Sequence, residues 1–422
     1  MKKIKIGLLG FGTVGSGVYQ TLTMNHDAIV QKTGVELEVA RVLVKSVAEP
    51  RKVEAPDSLF TESVDAILED PEIAIIIEVL GGIEPASSWA LRAMKAGKHF
   101  VTANKAMVAH SYKELVEASA DNHVMLRFEA SVGGGIPVLD ALQAPLTSND
   151  IEEISGIVNG TTNYILTQME VAGLGFDVAL KKAQELGFAE ADPTADVDGI
   201  DAANKLSILM ALGFGEVVGI DKIPTVGIRG VSALDVDVAG ELGYKIKLLA
   251  AAKKSGRNLQ GSVQPTLVAS QHLLAAVANE FNAVFIHGNA VDDLMFYGRG
   301  AGSLPTASAV VGDVIEIANA IDKDVAYDSY VNRVPEAGLT YVGEGVNKYY
   351  LRLEAKNEPG VLGQITTTFG AHGLLIDSVL QRETSADTAS IVFVVDLVAR
   401  EKLDSALSDL TGVRCQAIMR VM

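Results

Sequence analysis

Short, almost wholly apolar runs recur through the first third of the chain, at residues 5–9, 37–44, 73–79 and 99–102. Runs of this kind predict parallel strands buried on both faces. Helical stretches fall between and after them, at residues 16–24, 86–96 and about 111–120, and a further strand is expected at 125–129. The alternation predicts an α/β, Rossmann-like, doubly wound sheet over residues 1–136. Ligands of such sheets sit beyond the carboxyl ends of the strands. Residues 10–15, Gly81, Asn104, Lys105 and Glu129 all fall at those ends.

After Pro137 the pattern changes. Helices are expected at 138–142, 164–172 and 235–243, and from Gly199 onward, with strands at 151–158, 245–253, 262–268 and 283–287. This mixture predicts an α+β substrate-binding and dimerisation domain over residues 137–325. An apolar helix at 306–320 is expected to return to the first domain and complete it. Residues 326–348, irregular and carrying Pro335, read as a linker. Residues 349–422 show the order βαββαβ, a ferredoxin-like unit that serves either dimerisation or effector binding.

Composition narrows the partners. A chain of 422 residues that is 48% apolar has material for two or three cores. A formal charge of -18 argues against nucleic acid and anionic membrane, both of which reward lysine and arginine. Cys415 is the single cysteine, so neither a disulfide framework nor a cysteine zinc site is available, and it is expected to be a small buried hydrophobe. The opening MKKIKIGLLGFG enters a strand at once, without a secretory leader, and the apolar runs are strand-sized or belong to amphipathic helices. A soluble cytoplasmic protein is expected. Apolar sheet faces that need a partner add the expectation of an oligomer.

Candidate chemistry collects in six places. Gly10, Gly12 and Gly15 follow the first strand in GxGxxG spacing and open a helix. They provide a tight turn, backbone access to a pyrophosphate and close helix–strand contact, while the helix N-terminus faces the phosphates. The second strand ends at Lys45, not at the acid that usually takes the ribose hydroxyls of NAD, which favours the extra phosphate of NADP. Lys105 stands at a strand end in the first turn of a helix, where the dipole disfavours a cation, so a role in the site outweighs plain exposure. Around Glu129, the run EASVGGGIP brings backbone close to a ligand and offers oxygen donors to a monovalent cation. A second glycine loop, residues 298–306, either closes over the cofactor or serves as a hinge.

The densest signal is LGFAEADPTADVDGIDAANK at 186–205. Asp201 falls in the first turn of a helix with Lys205 four residues on, so the two share a face. Such a pair is ordinarily a weak surface bridge. The helix here is too apolar to be solvated, and a lysine on it must be paired or put to use.

Together GLLGFGTVG, TANK, EASVGGGIP, NGTTNYIL and GFAEADPTADVDGIDAANK resemble homoserine dehydrogenase, and the C-terminal unit with NEPGVLGQI resembles an ACT domain. The resemblance covers nearly the whole chain. It implies reversible reduction of L-aspartate 4-semialdehyde to L-homoserine, in the route to threonine and methionine, by an enzyme using NADP or NAD. Lys205 matches the family's catalytic lysine, with Lys105 at the cofactor–substrate junction, and Glu190, Asp196 and Asp201 match substrate-binding carboxylates. Gly10, Gly12, Thr13, Val14, Gly15, Lys45, Thr102, Lys105, Gly187 and Gly302 fall to the cofactor. Glu129 with the carbonyls of Val132, Gly134 and Ile136 matches a sodium site. Threonine as effector and a homodimer or homotetramer are further expectations. The alternatives are a dehydrogenase of a related amino or hydroxy acid, and a non-catalytic nucleotide and amino-acid sensor.

Overall fold

A computed structural model describes residues 2–325, 338–383 and 387–422. The chain opens with β1 (Lys2–Leu9), α1 (Thr13–Met24), α2 (His26–Thr33), β2 (Val35–Leu43), β3 (Phe60–Thr61), α3 (Asp65–Leu68) and β4 (Ile73–Glu78). It continues with α4 (Ala86–Lys95), β5 (His99–Thr102), α5 (Lys105–Asp121) and β6 (Leu126–Arg127). All six strands are parallel, in the order β3-β2-β1-β4-β5-β6. This is the doubly wound sheet that the apolar runs predict, with the order reversing beside β1.

Two elements depart from the pattern for local reasons. α5 starts at Lys105, ahead of the expected helix, because the Asn104 side chain caps it by accepting the Met107 N–H at 3.1 Å. A non-helical Ser111 then kinks it. β6 stops at Arg127, since the Glu129 N–H donates to Asp313 Oδ2 at 3.1 Å and residues Glu129–Ser131 form a 3-10 turn.

The chain goes on through α6 (Val138–Gln143), β7 (Ile151–Ile157), α7 (Gly160–Ala172), α8 (Phe176–Glu185), α9 (Thr194–Val197) and α10 (Ile200–Phe214). Next come α11 (Ala233–Glu241), β8 (Tyr244–Ser255), β9 (Asn258–Ala269), β10 (Phe281–Gly288), β11 (Asp292–Arg299) and α12 (Ser303–Lys323). β11 is a strand beyond those expected from the sequence, although it carries the short apolar run from Leu294 to Tyr297; none of its residues is buried. It also absorbs Gly298 and Arg299 from the second glycine loop. α12 packs as expected, with Val310, Val311, Val314 and Ile317 in the same core as Ile6, Leu8 and Ile75. Among the described residues it is the helix long and apolar enough to cross a membrane, and its apolar face is spent on this core.

The C-terminal part comprises β12 (Thr340–Tyr341), β13 (Val346–Lys356), α13 (Val361–Ala371), β14 (Ile376–Glu383), β15 (Thr388–Ala399), α14 (Arg400–Ser408) and β16 (Val413–Val421). From β13 onward this is the expected βαββαβ unit, with its own core of Leu351, Phe369, Phe393 and Leu403. Of the expected linker, residues 326–337 lie outside the described residues. Its remainder is not all loop: Thr340 and Tyr341 pair with Asn258 and Leu259, and β13 already begins at Val346. Cys415 is exposed, contrary to expectation, at a bulge where Cys415 faces Leu353 and Ala417 faces Arg352.

By contact the chain forms two compact units. The first gathers Met1–Ile154, Ser207–Ile220 and Asn282–Gly338, and the second Ser155–Leu206, Asp221–Phe281 and Leu339–Met422. Within the second unit the βαββαβ sheet is not a free module. β16 pairs in parallel with β9, Arg420 against Thr266 and Val421 against Leu267, which gives the order β8-β9-β16-β13-β15-β14. Asp235, fully buried at the start of α11, receives Tyr350 Oη at 2.8 Å and Arg352 Nε at 2.7 Å from β13.

The first sheet carries a pH-dependent element. His99 Nδ1 accepts the Met125 N–H at 2.9 Å, which requires an unprotonated nitrogen, and burial pushes this imidazole down from 6.5 to about 4. The unfolded chain takes up the proton first, so acid favours unfolding across that window and stability falls as pH drops through it. The loss amounts to roughly 3 kcal/mol when complete. The urea midpoint is expected to drop between neutral pH and the lower end of the window, and to drop less in His99→Gln; equal drops would exclude His99 as the cause.

Candidate active site

At the carboxyl edge of the first sheet, an open groove of about 840 Å³ is lined by Gly10, Phe11, Gly12, Thr13, Lys45, Ser46, Arg51, Lys52 and Gly81, among others. Each glycine of the fingerprint has a measurable reason. Gly10 adopts φ +106°, a Cβ on Gly15 would lie 2.1 Å from Gly10 O, and Gly12 has nothing within 4 Å of its missing Cβ. Gly12 also starts α1 without a side-chain cap, so the helix N-terminus and its N–H groups are left to an anion. These residues fit a dinucleotide. Ser303 Oγ donates to Thr13 O at 2.7 Å, which ties the start of α12, just after Gly302, to the fingerprint.

Lys45 lines this groove, and Arg51 is the better-organised cation beside it. The Arg51 guanidinium stacks 3.6 Å above the centre of the Phe60 ring, and its Nη2 donates to Ser46 O and Val47 O. Thr102 is fully buried and its Oγ1 donates to Glu78 Oε2 at 2.7 Å, while Glu78 Oε1 accepts the N–H groups of Leu80 and Gly81. Glu78 thus shapes the groove's loop after β4, a role sequence reasoning missed. Its signal was an acid closing an otherwise apolar strand. Lys105 opens α5 at the end of β5 and is half-buried.

The glycine run after Glu129 packs against the second glycine loop: Gly135 N–H donates to Arg299 O at 3.2 Å, and a Cβ on Gly134 would lie 2.5 Å from Gly300 O. Glu129 is buried, and its two carboxylate oxygens accept the N–H groups of Leu139 and Asp140 at the start of α6. Burial and the neighbouring Asp140 push Glu129 up to about 8, and burial holds Asp313 well above the usual carboxylate range. Asp313 Oδ1 is buried without a hydrogen-bond partner. Arg127 is committed to Glu316 at 2.7 and 2.6 Å. The excess of buried carboxylate oxygen suits a cation.

In the second unit, α10 delivers the acid–lysine pair. Lys205 Nζ donates to Asp201 Oδ2 at 2.7 Å and to Val158 O at 2.6 Å, and both side chains are under a tenth exposed. Asn159, the N-cap of α7, closes the cluster. Its Nδ2 donates to Asp201 Oδ2 at 2.9 Å and Asp196 Oδ1 at 2.7 Å, while its Oδ1 accepts the Thr162 N–H. Asp196, Asp201 and Lys205 are therefore brought together, and the weak surface bridge is excluded by burial. Asn159 was legible only as part of a turn. Glu190 is exposed, its backbone carbonyl accepting from Gln184, and Gly187 adopts φ +76° on the exposed stretch after α8.

The first unit holds a groove that fits a dinucleotide, and the second, taken by itself, a buried lysine–carboxylate pair. The fold and these sites define a nicotinamide-nucleotide-dependent oxidoreductase. Residues 137–315 match the family model of homoserine dehydrogenase, residues 10–129 that of its NAD binding domain, and residues 349–414 that of the ACT domain. The chain is 39% identical to homoserine dehydrogenase of Bacillus subtilis, over 98% of this chain and 96% of the relative. It is 42% identical to that of Synechocystis, over 97% and 96%. The crystal structure of a homoserine dehydrogenase from Thiobacillus denitrificans superposes with a TM-score of 0.93 at 37% identity, covering 100% of this chain and 99% of that one. A hyperthermophilic archaeal homoserine dehydrogenase in complex with NADPH gives 0.63 at 28% identity, over 74% of this chain and 97% of that one. The chain belongs to the homoserine dehydrogenase family. Its reaction is the reversible, nicotinamide-dependent reduction of L-aspartate 4-semialdehyde to L-homoserine.

Proposed function

We propose that Lys205 is the proton donor to the aldehyde oxygen, held in its charged form and in place by Asp201 and Asn159. The buried Lys205–Asp201 pair carries this reading. The nucleotide, bound along Gly10, Gly12, Thr13, Val14, Gly15, Thr102 and Gly302, supplies the hydride. As negative charge grows on the carbonyl oxygen, the Lys205 ammonium stabilises it and releases its proton to it. Oxidation of homoserine needs the same amine neutral, so that direction runs faster at alkaline pH. Asp196, Asp201 and Glu190 take the substrate ammonium, and Lys105 its carboxylate.

NADP is the preferred carrier in this reading, because Lys45, Arg51 and Lys52 offer cations where an NAD site carries an acid. NAD remains a second substrate for the groove. Sodium is assigned to Glu129 with the carbonyls of Val132, Gly134 and Ile136, where it offsets the buried carboxylates and pins the glycine run. Threonine is assigned to the ACT unit. A homodimer or homotetramer is supported by Leu375, Val379 and Leu397, exposed on that same unit, and a cytoplasmic location is the expectation for a biosynthetic enzyme.

Nicotinamide absorbance, followed with L-aspartate 4-semialdehyde and either NADPH or NADH, tests the reading. A larger kcat/KM with NADPH is expected, and equal or inverted values would remove the assignment to the three cations. Threonine added to the same assay reports on the ACT unit.

A further inference from the structure

One turn along α7 from Asn159, on the same helix face, Asn163 lies in a closed and buried polar network. Its Nδ2 donates to the carbonyls of Val277 at 3.3 Å, Asn279 at 2.9 Å and Phe281 at 3.1 Å. Its Oδ1 accepts from Lys247 Nζ at 3.2 Å, and Lys247 Nζ also donates to Val277 O at 2.6 Å. Asn279 is held at φ +56°, its N–H donating to Thr167 Oγ1, which in turn donates to Asn163 O. Asn163 is 1% and Lys247 2% exposed.

A lysine buried in this way is an expensive means of filling space, since an apolar side chain of similar volume avoids the desolvation. Among the described residues Lys247 makes no ion pair. The charged groups facing it are Glu170 on α7 and Lys245 on β8, and those two are bridged to each other at 2.8 Å. Burial pushes Lys247 down to about 8, so near neutral pH it still carries the charge that strengthens both of its hydrogen bonds. The network fastens one face of α7 to the 277–281 turn. The same face, one turn earlier, carries Asn159, whose amide is rigidly attached to the helix as its N-cap.

We propose that Lys247 is a positioning residue for the reaction: by locking Asn163 to the 277–281 turn it fixes the height and rotation of α7, and so sets Asn159 against the Asp201 carboxylate that holds Lys205. The proposal rests on Lys205 as proton donor. A displacement of α7 by a fraction of an ångström loosens Asp201 and misplaces the ammonium, and errors on the order of 1 Å cost about 100-fold in rate.

Lys247→Met nearly keeps the volume of the side chain and removes both of its hydrogen bonds. In the full-length enzyme it is expected to lower kcat on the order of 10- to 100-fold, with the nucleotide KM changed less than about twofold. The midpoint of the pH profile for homoserine oxidation is expected to move, because Asp201 no longer holds Lys205 as before, and Lys247→Arg to recover part of kcat. A lysine that only stabilises the fold would lower the melting temperature and leave kcat per folded molecule and the pH midpoint at wild type, which overturns the proposal. If Lys247→Met does not fold, Asn163→Ala is measured for the same two quantities: a lowered kcat with a moved midpoint supports the proposal, and wild-type values overturn it. Failure of both variants to fold also overturns it. Lys205→Ala measured alongside separates the layers. If it turns over normally, the proton-donor reading is lost; if it is inactive while Lys247→Met behaves as wild type, only the positioning role is lost.

Discussion

Replacing Lys205 with alanine is expected to lower turnover by about 10²- to 10⁴-fold in both directions, the range that a positioned proton donor contributes. Nucleotide affinity should stay near wild type, because the dinucleotide cradle is built from the fingerprint, Lys45 and Arg51, while Lys205 is held by Asp201 and Val158 O. The substitution also takes the ammonium from the buried Asp201, to which Asn159 Nδ2 still donates. Some loss of stability accompanies the loss of rate, so kcat must be referred to folded protein. Lys205→Arg helps to separate the two effects. It keeps the charge that Asp201 pairs with, yet a guanidinium with a pKa above about 12 is a poor proton donor. It is expected to restore stability and little turnover. Recovery of most of kcat with arginine, or turnover of Lys205→Ala within about tenfold of wild type, would remove Lys205 from proton transfer.

The second large effect concerns the join between α11 and the ACT unit. Asp235 Oδ2 accepts the N–H and hydroxyl of Ser232 in a capping box, and its Oδ1 accepts Tyr350 Oη and Arg352 Nε. Asp235→Ala removes the carboxylate half of the capping box, leaving the Ser232 cap itself in place, and strands a mostly buried guanidinium together with a buried phenol. Breaking a buried ion pair from one side costs about 3–5 kcal/mol. Against a typical total of about 5–15 kcal/mol this is a large share. Urea unfolding followed by far-UV circular dichroism is expected to show a midpoint shift of that size. A loss below about 1 kcal/mol would mean that Arg352 and Tyr350 reach water or another partner when the carboxylate is gone. The network also bears on truncation. Removing the chain from β13 onward uncovers Asp235 and opens the edge of β9 that pairs with β16, so a truncated enzyme tests packing as much as effector response.

Much of this was legible because the signals were local. The parallel sheet followed from apolar runs, the fingerprint from glycine spacing, the βαββαβ unit from period and order, and the Asp201–Lys205 pair from a four-residue interval on an apolar helix. What could not be read depended on partners distant in sequence. β11 carries a short apolar run, Leu294 to Tyr297, but none of its residues is buried, so it lacks the burial on both faces that marks the first-sheet strands. β6 ends where it does because Glu129 N–H finds Asp313 on α12. Cys415 is exposed because a bulge interrupts the pairing of its strand.

By itself the sequence marked most strands of the first sheet, the glycine fingerprint at its carboxyl edge, the C-terminal βαββαβ order, and a lysine, Lys205, on a helix too apolar to be solvated. Tertiary structure decided what holds that lysine. The Val158 carbonyl accepts from it directly, Asn159 acts through Asp201 and also binds Asp196, and Glu190, chosen by its motif, stays exposed. The physical reason is range: backbone periodicity and steric preference act over a few residues, whereas the hydrogen bonds that hold a buried charge go wherever folding brings a donor or acceptor within about 3 Å.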